Sequence, residues 1–146
     1  MKILMKIISV DVIGTPVSQG SLVGNGRFGM RYQNDKELKL WRNSVLCELV
    51  AKKPDDWEID CAFSVSCELR FMRPKAHYGK KGLRPSAPKY KTTKIDLDKG
   101  MRAIGDAIEH SGLIRNDSQI IHWAASKRYC DTGESPGASI TLSSQP

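Results

Sequence analysis

The chain has 146 residues, 40% hydrophobic and 27% charged, a size and balance that suit one compact domain and argue against wholesale disorder. No apolar run approaches the roughly 20 residues needed to cross a bilayer, so no stretch reads as a transmembrane helix. The net charge of +7 belongs to one segment: Arg70, Arg73, Lys75, Lys80, Lys81, Arg84, Lys89, Lys91 and Lys94 stand together with no acid among them, and without these nine the chain has 14 basic against 16 acidic residues.

The N-terminus alternates like a strand, with Ile8, Val10 and Val12 on one face. Lys6 breaks its apolar run and no small-residue cleavage site follows, so it reads as the first strand of a cytosolic protein rather than a signal peptide. Pro16 and the glycines from Gly20 to Gly29 then predict a long loop or loose hairpin. Gly24-Asn25-Gly26-Arg27-Phe28-Gly29 matches G-x-G-x-x-G, but it stands about ten residues past the strand and opens no helix, so it is not a dinucleotide-binding turn. Arg27 and Arg31 remain phosphate-contact candidates.

Asn34 with Glu37 predicts a helix start of the capping-box type, and Leu38, Trp41, Val45 and Leu49, joined by Leu46 and Val50, form an apolar stripe running to about Lys53. Phe63, Val65, Cys67, Leu69 and Phe71 alternate with polar residues, which predicts a strand buried on one face. The basic segment at about 73–94 contains Pro74, Pro85, Pro88, Gly79 and Gly82, and is expected to be a flexible loop without regular structure. A localised cationic patch suits a polyanion partner, with a solubilising loop as the plainer alternative. Tyr78 and Tyr90 among the cations suit stacking on unpaired bases and equally suit ordinary loop positions.

Leu97, Met101, Ile104 and Ile108 restore helical spacing, and Gly112 marks its end. After the Asn116-Asp117 turn, residues 118–129 read as a strand with Ile121, Trp123 and Ala125 on one side. Ala138, Ile140 and Leu142 then form a last strand antiparallel to it. The order strand, loop, helix, strand, basic loop, helix, strand, strand predicts a single α+β domain over residues 1–146, with a mixed or mostly antiparallel sheet and two main helices. The cysteines, Cys47, Cys61, Cys67 and Cys130, form no metal-binding spacing and read as buried free thiols.

The chemistry concentrates around the second helix. Asp96 and Asp98, two residues apart at its entry, point their carboxylates to one side, and Asp117 follows just beyond it. Clustered carboxylates without Cys or His suit Mg²⁺ or Mn²⁺, and such ions assist phosphodiester displacement. Arg102, one turn after Asp98, is placed to stabilise developing charge. Each acid also has a plain reading: Asp96 as an N-cap, Asp98 as a favourable first-turn charge, Asp117 as a turn residue.

The segment Ile-Asp-Leu-Asp-Lys-Gly-Met-Arg-Ala-Ile-Gly-Asp-Ala-Ile, followed by Gly-Leu-Ile-Arg-Asn-Asp-Ser-Gln-Ile, resembles the signature of RusA-type Holliday junction resolvases (crossover junction endodeoxyribonucleases). That family shows Asp-x-Asp-Asn-x-x-Lys, an Asp-Ala-Leu-like helix end and an Asp-Asp-x-Gln-Val turn before a strand. The resemblance implies that Asp96, Asp98 and Asp117 bind Mg²⁺, and it puts Arg102 where the family has a catalytic Lys. It puts Lys99 where the family has Asn, and Asn116 where the turn begins with Asp. Arg102 keeps the charge but donates no proton readily, so Lys99 is the second candidate for the basic catalytic role. The resemblance further implies a homodimer nicking a four-way DNA junction symmetrically in recombination and repair, in a bacterial cytoplasm and with a phage or prophage origin. Arg27, Arg73, Lys75, Lys80, Lys81, Arg84, Lys89, Lys91 and Lys94 are then the DNA-binding candidates. The alternatives are a non-catalytic binder of branched DNA, and another metal-dependent nuclease using Glu68 with the aspartates.

Overall fold

The computed structural model describes residues 4–20, 22–24, 30–32 and 34–146. Arg27 lies outside the described residues, and for Arg31 only the backbone is described. Four strands make the main sheet: β1 (Ile7–Ile13), β4 (Ala62–Phe71), β7 (Ile120–Tyr129) and β8 (Gly137–Gln145). Two short strands, β2 (Leu22–Gly24) and β3 (Met30–Tyr32), pair antiparallel as the hairpin of the glycine-rich loop. Helices α1 (Asp35–Ala51) and α2 (Leu97–His110) pack on one face of the main sheet and complete an α+β domain.

The alternation in each strand decides which face is covered. Ile8, Val10 and Val12 of β1, the odd-numbered residues of β4 from Phe63 to Phe71, and Ala138, Ile140 and Leu142 of β8 are all buried. They meet the stripe Leu38, Trp41, Val45 and Leu49 of α1 and Met101, Ile104 and Ile108 of α2. The α1 stripe is narrower than expected, since Leu46 is half-buried and Val50 exposed. Its start is also not a capping box, because the Asn34 side chain donates to the Ser18 carbonyl and ties the first loop to the helix. Cys67 and Cys130 are buried thiols as expected, whereas Cys47 is exposed on α1 and Cys61 is half-buried. Burial pushes the Cys67 thiol up to about 12.

The sheet is mixed, in the order β1-β8-β4-β7. β8 runs antiparallel to both of its neighbours, and β7 lies parallel to β4 through the α2 crossover. The last two strands therefore run in opposite directions without pairing, because β4 stands between them. A second departure concerns Ile121, expected beside Trp123 and Ala125. Phe63 pairs with Ile120 and Ser64 with His122, so Ile121 is the extra residue of a bulge and is 67% exposed. The bulge resets the two-residue alternation and leaves Ile120, Trp123 and Ala125 against the core.

The basic segment contains regular structure where none was expected. Lys75–His77 form a 3-10 turn, and β5 (Tyr78–Gly79) pairs with β6 (Gly82–Leu83). Arg73 anchors the segment: its guanidinium donates to the carbonyls of Cys130 and Pro88 and lies over the Tyr129 ring.

The open face of the sheet holds an ion network. Arg70, only 4% exposed, donates to Asp11, Ser139 and the Ser135 carbonyl. Arg128 grips Glu134 through two hydrogen bonds of 2.6 and 2.8 Å and reaches Glu68 at 3.0 Å. The Arg128 hydrogen bond, helped by the Asp131 backbone N–H, draws the Glu134 carboxyl from 4.5 down to about 2. A carboxylate depressed by folding adds stability above its unfolded value and loses it as pH falls through the folded one. Wild type is therefore expected to lose more stability between pH 4.5 and about 2 than Glu134→Gln, measured as unfolding midpoint against pH. Parallel curves for the two proteins would contradict it.

Candidate active site

The approach to α2 is clamped before its acids appear. Lys127 of β7 donates its ammonium group to the carbonyls of Thr93 and Ile95, at 2.8 and 2.6 Å. Asp96 follows as the N-cap of α2 in an extended conformation, but its side chain caps no helix amide. Only its backbone serves the helix, through the carbonyl that accepts from the Gly100 N–H. The carboxylate is exposed, with the Lys99 ammonium group 3.6 Å away. Asp98 sits two residues on, in the first turn.

Asp117 opens the 3-10 turn Asp117–Gln119, and other residues perform the work of that turn. Asn116 Oδ1 accepts from the Ser118 N–H, and Gln119 Oε1 accepts from the N–H groups of Arg115 and Asn116. Gln119 also donates to the carbonyls of Ile59 and Cys61, which pins the turn beside β4. Glu109 of α2 accepts the Asp117 N–H at 3.0 Å. Asparagine suffices at position 116 because that position is a cap. Among the described residues none draws the Asp117 carboxylate into holding the turn.

These supports bring Asp98 and Asp117, from opposite ends of α2, to the wall of one groove of about 660 Å³. Among the described residues no hydrogen bond or ion pair engages either carboxylate. Arg102 and Asp106 also line it; Asp98, Asp117 and Arg102 are exposed, and Asp106 is half-buried. Asp106 accepts from Gln19 at 2.8 Å and from Arg42 at 3.2 Å, joining the first loop, α1 and α2 behind the groove. The Gln19 N–H also donates to the Lys99 carbonyl.

The expected trio is brought together in part. Asp96 does not line the groove, and no group of three or more His, Cys, Asp or Glu side chains among the described residues is arranged to hold a metal ion. The donor chemistry of the groove still fits a hard cation, since its wall offers carboxylates and neither Cys nor His. Glu68 is excluded from the site by alternation: it points to the open face of the sheet and is held by Arg128.

The basic residues divide by their work. Besides Arg73, Lys91 lies against the Phe71 and Tyr129 rings, Arg84 donates to the Tyr78 carbonyl, and Lys89 stands over the Tyr90 ring. Lys75, Lys80, Lys81 and Lys94 present exposed ammonium groups. Sequence reasoning missed Gln19, Asp106, Glu109, Trp123 and Lys127. Asp106 and Glu109 carried a signal, since they continue the helix face of Asp98 and Arg102; Gln19 carried none.

An α+β domain with aspartates lining one groove, and with a cationic segment that leads in sequence to the helix carrying Asp98, has the makings of a protein that acts on phosphodiesters. A family model described as Endodeoxyribonuclease RusA matches residues 14–143, and the chain belongs to that family of endodeoxyribonucleases. The family acts on branched, Holliday-junction DNA. No curated protein matches the chain. No helix among the described residues is long and apolar enough to cross a membrane.

Proposed function

We propose that this chain is a Mg²⁺-dependent, structure-selective endonuclease that nicks four-way junctions symmetrically as a homodimer in recombination and repair. The observation that carries the reading is the pair Asp98 and Asp117, facing one groove with carboxylates that no described residue engages. Unpaired acids on a shared wall repel each other, and a divalent cation relieves that repulsion. Asp98 and Asp117, joined by Asp96, would hold Mg²⁺, with Mn²⁺ as a substitute. Bound there, the ion supplies charge neutralisation and water activation for phosphodiester hydrolysis.

Arg102 binds phosphate oxygens and stabilises their developing charge without giving up a proton. Lys99 balances Asp96 and is the group able to hand a proton to the leaving oxygen. Lys75, Lys80, Lys81 and Lys94 bind the DNA backbone, together with Arg27, Arg84 and Lys89. Arg73 and Lys91 chiefly shape that surface. Two opposed cuts on a roughly two-fold junction favour a two-fold enzyme. The family resemblance supports a bacterial cytoplasmic setting and a phage or prophage origin.

The test is a labelled four-way junction incubated with the protein in Mg²⁺, in Mn²⁺ and in chelator. Nicking is expected in both metals and none in chelator. Tight binding with no nicking in either metal, across several junction sequences, would make the protein a binder of branched DNA instead.

A further inference from the structure

The groove that presents Asp98 and Asp117 is lined as well by the apolar side chains of Leu97, Met101, Ile120 and Trp123. Phosphodiester chemistry gives those side chains no work, since hydrolysis uses charge and water. The other two tryptophans, Trp41 and Trp57, are 4% and 8% exposed core residues, whereas Trp123 is half-buried and lines the groove. The edge of its six-membered ring rests on α2 where the helix has glycine: a Cβ on Gly105 would stand 3.6 Å from Cζ2. The bulge at Ile121 supports this arrangement, because it lets Ile120 and Trp123 both face the core side.

From this we infer that Trp123 receives one nucleobase of the DNA, the base flanking the phosphate presented to Asp98 and Asp117. The inference rests on the nuclease reading of the same groove. A volume of about 660 Å³ falls within the range of small-ligand pockets. An indole offers any base a stacking surface, while an apolar wall offers a phosphate nothing. A base inside a continuous duplex is stacked on both sides and reaches the indole only at the cost of unstacking. At a branch point that cost is smaller. Trp123 is thus a specificity-determining residue: it favours DNA whose bases beside the cut are already loosened, without reading which base is there.

The experiment uses full-length protein, an intact four-way junction and a set of junctions each carrying an abasic site at one of the nucleotides flanking the cut. Affinity is read in chelator and single-turnover nicking in Mg²⁺. On the intact junction Trp123→Ala is expected to lower affinity or nicking rate by about 10- to 100-fold, the size of one lost base–aromatic stack. Trp123→Tyr is expected to stay within a few-fold of wild type. On the junction lacking the stacked base, Trp123→Ala should add almost no further loss, because the two changes remove the same contact. An equal loss on the intact junction and on every abasic junction overturns the inference and makes Trp123 a packing residue. Should Trp123→Ala fail to fold, wild-type tryptophan emission decides: quenching by the intact junction and not by one abasic junction supports stacking, and equal quenching by all of them refutes it. Coupling absent while wild type nicks normally rejects the base pocket alone. Coupling present without nicking in any metal rejects the nuclease reading alone.

Discussion

Asp117→Asn is expected to slow junction nicking by roughly 10²- to 10³-fold or more, the scale of loss for a single electrostatic stabiliser, while affinity for the junction in chelator stays near wild type or rises. The substitution is close to isosteric and spares the fold. The turn is held by Asn116, Gln119 and the Glu109 contact to the backbone N–H of residue 117, none of which uses the Asp117 carboxylate. What changes is one negative charge on the groove wall, and removing it beside a phosphate relieves repulsion. Asp98→Asn is expected to behave in the same way. Asp96→Asn should also lose nicking, with Lys99 released from its 3.6 Å partner. A variant at Asp117 that nicks at the wild-type rate would remove that residue from the site, and a large loss of binding would make its role structural.

Gly137→Ala is expected to destabilise the domain by about 3 kcal/mol or more, a fall in Tm of roughly 10 °C, as an overpacked strand pair does. A Cβ at position 137 would fall on the Val12 carbonyl oxygen and within 2.9 Å of an Arg70 guanidinium nitrogen. Neither neighbour yields easily. Val12 belongs to the β1 ladder, where Ile13 stands opposite Gly137 and Val12 opposite Ala138. Arg70 is fixed by Asp11, Ser139 and the Ser135 carbonyl. The β1–β8 end must open to admit the methyl group, and that uncovers the core around Val12. Thermal or urea unfolding measures the effect; a Tm within a degree of wild type would show that the strands part without cost.

The strands of the core were legible because a sheet buried on one face writes its period directly into Ile8–Val12, Phe63–Phe71 and Ala138–Leu142. The place of β8 between β1 and β4 was not, since pairing partners leave no mark on a strand's own alternation. Ile121 misleads for a related reason: a one-residue bulge shifts the facing of everything before it, and only the partner strand reveals it. The acids were legible as a spacing, and the resemblance assigned them. Their state was not legible. That Asp96 leaves the helix uncapped and Asn116 takes over the Asp117 turn depends on hydrogen bonds made at the ends of the elements. Charge alone likewise cannot tell Arg73, spent on two carbonyls and a ring, from Lys80, whose ammonium group is exposed. The Gln19–Asp106–Arg42 junction joins residues 23 to 87 positions apart, so no local pattern announces it.

The central claim is that the Asp98–Asp117 groove cuts branched DNA in a structure-selective way. It is tested most directly by giving the protein, in Mg²⁺, three end-labelled substrates of shared sequence: a four-way junction, a flap and a linear duplex. Paired nicks at symmetric positions of the junction are expected, with the flap cut weakly and the duplex left whole, and with all nicking lost in Asp98→Asn. Equal cutting of junction and duplex, or undiminished cutting by Asp98→Asn, would contradict it.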